Sequence, residues 1–371
     1  MKNLYNVCLY ILLTILFSCP RLWAQDFGLI LDQTAGLQGD GFDYAGTLIP
    51  RYSVFLGDNG EFYISAGVTV ESLNGTTAVI PELLRTELSW RFNSGDLKAG
   101  RMYYSAPLPF IAEGLFDGAR FSFDTAVGSF NIGAMYTGLL YKKRANITMT
   151  EKELSSYSSK LDYGNFANTY FAPQRVISAF GWEYPNLLDI ARVRLALLGQ
   201  FDLSGAGLNS QYLATRFTLP VKEFVVDLGG CLETIQDSGN MEVAFAGELG
   251  LGWIFPVFTQ SQLSLLGRFS SSAFQPVTNM PQGDVLKARL SGLSMVSLDY
   301  TARFNRYVSA ELSSSFFLDS GSSISGNEFF GKLYWSPVSD LWLNLGGGVF
   351  FPFKEAGNTW RLELNVVFSI Y

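Results

Sequence analysis

Apolar and polar residues alternate with a period of two along most of this chain. In residues 60–71 every second position is apolar and polar residues lie between, with Phe62, Ile64, Ala66, Val68 and Val70 set against Glu61, Tyr63, Ser65, Thr69 and Glu71. Residues 83–92, 240–253 and 306–318 repeat this alternation. An α-helix would mix the two sets, whereas successive side chains of a β-strand point to opposite faces. The pattern therefore predicts strands that have one apolar and one polar face.

The number of these stretches predicts about 18 strands, or 16 if the segments at 27–33 and 290–304 are not strands. Single-chain bacterial membrane barrels have an even number of strands. The apolar sets are long enough for the roughly 9–11 tilted residues with which a strand crosses a bilayer. We therefore expect each strand to cross a membrane.

The predicted connections alternate in length. Tight connections such as 56–61 and 92–97 are followed by longer ones, which we place at 72–82, 105–115, 142–172, 203–209 and 272–290. Short turns on one rim and long loops on the other are typical of outer-membrane barrels.

Residues 1–24 have the features of a secretory signal peptide. Lys2 gives a positive start, Val7–Phe17 is apolar, and Leu22–Ala24 is an acceptable cleavage site. Lipoprotein processing at Cys19 is the alternative. No later run of about 18 apolar residues predicts a spanning helix, and an exported apolar chain without one is left with a closed barrel. The predicted fold is thus all-β, a transmembrane antiparallel up-and-down β-barrel over residues 25–371.

Composition removes several functional classes. The net charge of −7 argues against a nucleic-acid partner, which needs a basic surface. The chain has no histidine, so it has no Ser-His-Asp triad and no His-bound metal. Cys231 is the only cysteine outside the signal segment. A carboxylate pair could still hydrolyse glycosides, but no stretch suggests one. We expect no enzyme activity, no cofactor and no metal.

The last predicted strand, 357–371, carries a complete apolar face. The positions expected to face lipid are Trp360, Leu362, Leu364, Val366, Phe368 and Ile370. Here the chain resembles bacterial outer-membrane β-barrel proteins, whose final strand ends in an aromatic that the barrel assembly machinery recognises. Tyr371 ends this chain, in register with Ser369 rather than with the apolar set. The resemblance implies an outer-membrane location in contact with lipid, and the assembly machinery as a partner.

Within that family, the length and strand number are similar to those of the 16–18-stranded porins. Residues 100–124, GRMYYSAPLPFIAEGLFDGARFSFD, are similar to porins and to sugar- or alginate-export barrels. In porins a loop near this place folds inward and narrows the pore. The resemblance therefore implies that 105–115 folds inward, and it leaves a homo-oligomer open.

Charged residues on the predicted inner face are the candidates for pore lining. They are Arg51, Arg85, Arg91, Arg101, Glu113, Arg120, Arg192, Arg194, Arg268 and Arg303. Guanidinium groups hold carboxylates and phosphates in a bidentate geometry, and rings of charge set ion preference in pores. The alternative is that these groups pair with acids on neighbouring strands and stiffen the wall. Arg192 and Arg194 share a face with no acid between them, which favours an unpaired basic pair.

The expected function is passive diffusion of small hydrophilic solutes across the outer membrane. One alternative is a FadL-like transporter of hydrophobic compounds, for which little N-terminal material is present to form a plug. The other is an adhesin or structural barrel that acts through 142–172. We expect that segment to be a solvated surface loop with a short helix at 150–158.

Overall fold

A single antiparallel sheet closes on itself in the computed structural model, which describes residues 25–39, 41–73, 75–187, 190–205, 207–237, 239–319, 324–354 and 357–370. Within these residues the sheet has 18 strands. They are β1 (Gln25–Gln38), β2 (Gly41–Leu56), β3 (Gly60–Leu73), β4 (Thr76–Phe92), β5 (Gly95–Ser105), β6 (Glu113–Thr125), β7 (Gly128–Tyr136), β8 (Arg175–Leu187), β9 (Ala191–Asp202), β10 (Leu208–Val221), β11 (Phe224–Asp237), β12 (Asn240–Phe255), β13 (Gln260–Ser270), β14 (Leu293–Arg303), β15 (Val308–Asp319), β16 (Gly326–Val338), β17 (Leu341–Pro352) and β18 (Thr359–Ile370).

Strands β1 and β18 pair with each other and close the barrel. Their register runs from Leu29 opposite Ile370 to Gln38 opposite Arg361. Every other strand pairs with its neighbours in the sequence. Closure gives each strand two hydrogen-bonding neighbours, so no strand lies at a free edge of the sheet along its whole length. The predicted fold class and the number of 18 strands are confirmed.

The outer face of the barrel is apolar. On β18 the side chains of Trp360, Leu362, Leu364, Phe368 and Ile370 are exposed, as predicted for contact with lipid. The alternate positions of β18 face inward, as Asn365 shows by donating from Nδ2 to Asp32 of β1 at 2.8 Å. On β3, Val68 and Val70 are exposed outside and Thr69 is buried inside. The predicted two-faced strands are confirmed at these positions.

The two rims differ, but less than expected. One rim carries tight turns such as 57–59 and 93–94. On the other rim, the long loop predicted at 72–82 is wrong, because β3 runs to Leu73 and β4 begins at Thr76. Gly75 adopts a positive φ of 78° in the turn, a conformation that glycine reaches without steric cost.

Three connections in the described chain fold into the barrel, and we call 106–112, 137–174 and 271–292 the first, second and third inward segments. Their apolar side chains pack with those of the wall. This cluster includes Leu108, Phe110, Ile111, Leu140, Ile147, Met149, Phe274 and Val277 on the segments and Met102, Phe116, Ile177, Leu198, Tyr212 and Ala246 on the strands. The inward fold implied for 105–115 is confirmed.

The prediction that 142–172 is a solvated surface loop is wrong for its two ends, where Ala145, Ile147, Met149 and Tyr170 are buried, whereas the middle of the segment, with Tyr163 59% exposed, is open to solvent. The second inward segment contains helices α1 (Lys142–Ala145), α2 (Glu151–Ser158) and α3 (Phe166–Tyr170), with a 3₁₀ turn at Tyr163–Asn165. The short helix predicted at 150–158 is confirmed as α2. Thr150 and Glu153 form a reciprocal capping box at its start. None of the described helices is long and apolar enough to cross a membrane.

The predicted signal peptide at 1–24, with the alternative at Cys19, lies outside the described residues, as does Tyr371. Signal cleavage and recognition of the terminal aromatic by the assembly machinery therefore stay predictions.

Candidate lumenal constriction

The first and third inward segments are tied to each other by backbone hydrogen bonds. The amide of Val277 donates to the carbonyl of Ile111 at 2.8 Å. The amide of Glu113, where β6 begins, donates to Thr278 Oγ1 at 2.8 Å. Phe110 and Phe274 meet edge to face, with ring centroids 6.2 Å apart. The two segments therefore form one packed unit.

Buried carboxylates of the wall hold the third segment. Glu328 of β16 accepts the amides of Asp284 at 2.6 Å and Leu286 at 2.8 Å. Glu233 of β11 accepts the amide of Gln275 at 2.8 Å. Both glutamates are almost fully buried. Because an unpaired buried carboxylate is costly, these bonds fix where the segment crosses the lumen.

Arg268 also belongs to this anchorage. Its guanidinium is buried, contacts Glu248, donates to Gln282 at 2.6 Å and lies 5.2 Å from the ring centre of Phe110. It connects the wall to both the first and the third segments, rather than lying open to the lumen.

Arg175 holds the second segment in the same way. Its side chain is fully buried and donates from Nε and Nη2 to Glu153 Oε1 at 2.8 and 2.6 Å. Nη1 donates to the carbonyl of Leu208 at 3.1 Å. Helix α2 is thereby attached to the wall at β8 and β10. Sequence reasoning missed Arg175 and Glu153, and the only signal was the capping box before α2.

Lys142 is a second buried cation of this segment. Its Nζ donates to the carbonyls of Ser156 and Ser159 at 2.8 Å each. Burial, followed by the charge of Lys143, lowers the pKa of the Lys142 ammonium. These carbonyls lie at the C-terminal end of α2, where a cation is favoured, so Lys142 ties α1 to α2.

The second segment also covers a gap in the wall. Strands β4 and β5 pair only between Thr86–Phe92 and Gly95–Arg101, so the first ten residues of β4 have no partner on that side. Side chains of the second inward segment take the place of the missing strand partner. Tyr163 exchanges hydrogen bonds with the amide and carbonyl of Val79, at 2.9 and 2.5 Å. The Tyr170 hydroxyl donates to the carbonyl of Pro81 at 2.6 Å.

Pro81 suits this unpaired edge of β4 because proline has no N–H that would need a partner. Burial, followed by the charge of Glu82, raises the pKa of Tyr170 to about 12. The hydroxyl therefore keeps its proton and remains a donor at neutral pH.

Arg101 lies in the same gap. It is 5% exposed, forms a bidentate pair with Asp117 at 2.8 and 2.9 Å, and donates to the carbonyls of Leu83 and Leu139. Arg101 is the last residue of β5 that pairs with β4, and its contacts stabilise the wall where that pairing ends. That Arg101 lines the pore stays a prediction.

A polar cavity of about 510 Å³ lies between the inward segments and the wall formed by β1 to β4. Two ion pairs cross from the second segment to this wall. Lys143 Nζ lies 2.8 Å from Glu71 Oε1, and Arg144 Nη2 lies 3.0 Å from Glu82 Oε2. Thr47 and Thr69 share a hydrogen bond of 2.9 Å on the wall between them. Asp32 and Glu113 also line the cavity. We call this region the constriction.

Of the other predicted residues, several lie towards the tight-turn rim. Arg91 and Arg120 line a second cavity of about 560 Å³ there, with Glu61, Asp96 and Lys98. Arg85 is paired with Glu87 at 2.9 Å. Arg303 lies near the turn that joins β14 and β15. Arg51 is on β2, opposite Gly28 and Ser65. Whether these residues contact a solute stays a prediction.

The expected unpaired basic pair is found only in part. Arg192 lies 3.4 Å from Glu183, since the register of β8 and β9 places Glu183 opposite Arg194. Arg194 faces Arg216 of β10 and forms no ion pair with any described residue. Arg216 itself pairs with Asp227 at 3.0 Å. Pairing with acids on neighbouring strands is therefore found for Arg192, Arg101 and Arg268, whereas Arg85 pairs with Glu87 of its own strand.

Comparison with known proteins shows the fold. No protein-family model matches the chain, and no curated protein matches its sequence. Among solved structures it is similar to three proteins of Pseudomonas aeruginosa. OccK2 (OpdF) aligns with a TM-score of 0.66 at 11% identity, over 94% of this chain and 98% of that one. The outer membrane protein OpdK aligns at 0.65 and 12%, over 94% and 99%. OccK5 (OpdH) aligns at 0.63 and 10%, over 94% and 99%. The chain has the fold of these barrels over nearly its whole length.

Proposed function

We propose that this protein is an outer-membrane channel through which small hydrophilic solutes diffuse passively. The observation that carries the proposal is the constriction. A closed barrel with an apolar exterior holds a polar cavity between its wall and the second and third inward segments. Barrels of this strand number are wide enough to enclose an aqueous channel, and inward segments that are anchored at buried charges narrow it to a defined size.

The comparisons support the proposal. One similar protein is described as an outer membrane protein, and OccK2 (OpdF) was crystallised with glucuronate, a small hydrophilic solute. We extend location and solute size class from those proteins to this one. We also propose that the lipid-facing strands insert through the barrel assembly machinery. A homo-oligomer stays a prediction.

The two alternatives have less support. A carrier of hydrophobic compounds would have to pass them over Glu71, Glu82, Lys143 and Arg144, and desolvating such charges is costly. An adhesin would need the second segment at the surface, yet Arg175 and Glu153 hold it inside.

The test is swelling of liposomes that contain the refolded protein, in neutral sugars of increasing size. We expect small sugars to enter and larger ones to be excluded. Thr69→Trp adds bulk at the constriction and should slow the entry of every sugar. Val70→Trp, one position along on the outer face, is the matched control and should leave the rate unchanged. Liposomes that contain folded protein and do not swell in any sugar would contradict the proposal.

A further inference from the structure

We propose that the constriction selects cationic solutes, and that Asp32 and Glu113 set this preference. The inference rests on the proposed channel function and adds the charge class of the solute. Six charged side chains line the cavity. They are Asp32, Glu71, Glu82, Glu113, Lys143 and Arg144. Four carboxylates against two cations give 2 − 4 = −2.

Both cations are already engaged with carboxylates. Lys143 lies 2.8 Å from Glu71, and Arg144 makes two contacts with Glu82, at 3.0 and 3.3 Å. Glu82 is almost fully buried, and its carboxylate is matched by the guanidinium of Arg144. Each pair is close to neutral as seen by a passing ion.

Asp32 and Glu113 carry the remaining charge. Asp32 accepts a hydrogen bond at 2.8 Å from the side-chain amide of Asn365, and Glu113 contacts the hydroxyl of Tyr103. Amide and hydroxyl donors hold a carboxylate in place without neutralising it. Among the described residues, neither carboxylate forms a direct ion pair with a lysine or arginine; Asp32 lies in electrostatic range of Arg144, whose guanidinium is already bound to Glu82. They therefore present two fixed negative charges to the cavity.

The surroundings do not reverse this sign. Lys287 of the third segment lies within electrostatic range of Arg361, but also of Glu363, Asp284 and Asp43. Lys332 also belongs to this group, because its Nζ lies 2.6 Å from Asp284, and the six groups sum to 3 − 3 = 0. Arg289 donates to the carbonyl of Thr148 and is thereby held against the second segment. The cations Arg192, Arg194 and Arg216 are on β9 and β10, and none of them lines this cavity.

The size of the effect follows from Coulomb's law. One carboxylate about 5 Å from a permeating ion, screened by 0.1 M salt, changes the concentration of that ion by a factor of about 2.3. The carboxylate raises the local concentration of a cation and lowers that of an anion by the same factor. Each carboxylate is therefore expected to change the cation-to-anion permeability ratio about fivefold. Charged rings set ion preference in pores by this mechanism. The solutes favoured would be small ammonium or guanidinium compounds.

The test is the reversal potential of the channel in a planar bilayer with a KCl gradient. We expect the wild type to prefer K⁺. Asp32→Asn and Glu113→Gln should each lower the permeability ratio about fivefold, and the double variant should lower it further. Lys143→Met should shift it the other way, because it exposes Glu71. The matched control is Glu61→Gln at the second cavity, which lies outside the constriction and should change the ratio less than Asp32→Asn or Glu113→Gln does.

A wild-type channel that prefers Cl⁻ would overturn the inference, as would a double variant with an unchanged reversal potential. Both results require open channels, so they are distinct from failure of the proposed function, which would show as no conductance at all. A gradient of arginine hydrochloride then extends the test to an organic cation. A larger permeability for arginine than for gluconate, measured as its sodium salt, is expected, and the reverse order would overturn the assignment of solute class.

Discussion

Replacing Arg175 by methionine should release the second inward segment from the wall. The change keeps an unbranched side chain of similar length but removes the guanidinium that binds Glu153 and the carbonyl of Leu208. Glu153 is then left as a buried carboxylate without its cation, because only 6% of its side chain is exposed.

The expected magnitude is large because both partners are buried. Removing one member of a buried ion pair typically costs about 3–5 kcal/mol, which is a factor of about 100 or more in an equilibrium constant. The pair between Lys143 and Glu71 is a useful contrast, since those side chains are 30% and 19% exposed. Pairs near that level of exposure contribute about 0–1 kcal/mol, so Lys143→Met should change the docking of the segment by a factor of about five at most.

Limited digestion with trypsin measures the undocked population. Lys160 follows α2 and is exposed, but cleavage there requires the surrounding segment to open. When opening is fast, the rate of cleavage follows the fraction of molecules in which the segment is open. We expect Arg175→Met to be cut about 100-fold faster than the wild type, and Lys143→Met to be cut at nearly the wild-type rate. The double change Glu153→Met/Arg175→Met leaves no unpaired charge and should be cut more slowly than Arg175→Met alone. Equal rates for Arg175→Met and Lys143→Met would refute the reasoning.

The remaining predictions concern the wall, the third segment and the outer face. Tyr170→Phe removes a buried donor from the edge of β4 and should lower the free energy of unfolding by about 1–3 kcal/mol. Tyr163→Phe should lower it less, since water can replace that exposed hydroxyl. Urea unfolding in micelles compares the two variants. Gly283 has a φ of 80°, and an added Cβ would lie 2.8 Å from Glu328, so Gly283→Ala should displace the third segment and raise the conductance. Gly205→Ala, with a φ of 79° and no atom within 4 Å, is its control and should leave the conductance unchanged. Leu312→Arg on the outer face should destabilise the protein inserted in vesicles by about 2–4 kcal/mol. Ser313→Arg on the inner face is its control and should fold normally. Equal folding yields for the two variants would contradict the assigned faces.

The barrel itself follows from the sequence because lipid imposes a strict requirement on every strand. Each position on the outer face must be apolar and each backbone group must be paired, so the alternation at 60–71 and 357–370 is strong enough to identify the face as well as the strand. The short helix at 150–158 could also be predicted, and the structure shows a local cause for it, since the capping box at Thr150 needs no tertiary contact.

The constriction could not be predicted from the same pattern. In the second segment, Leu140, Ile147 and Met149 stand among polar residues with no regular period, and their burial depends on which wall they meet. Arg175 looked like any polar residue at the start of a strand. Asp32 and Arg144 are far apart in the sequence, and only the closed barrel and the folded segment place both in one cavity.

The most direct test of the account is single-channel recording of the refolded protein in a planar lipid bilayer. The account predicts discrete conductance steps that persist in the wild type and become smaller in Thr69→Trp but not in Val70→Trp. Protein shown to be folded that gives no steps would contradict the claim that this barrel is a channel.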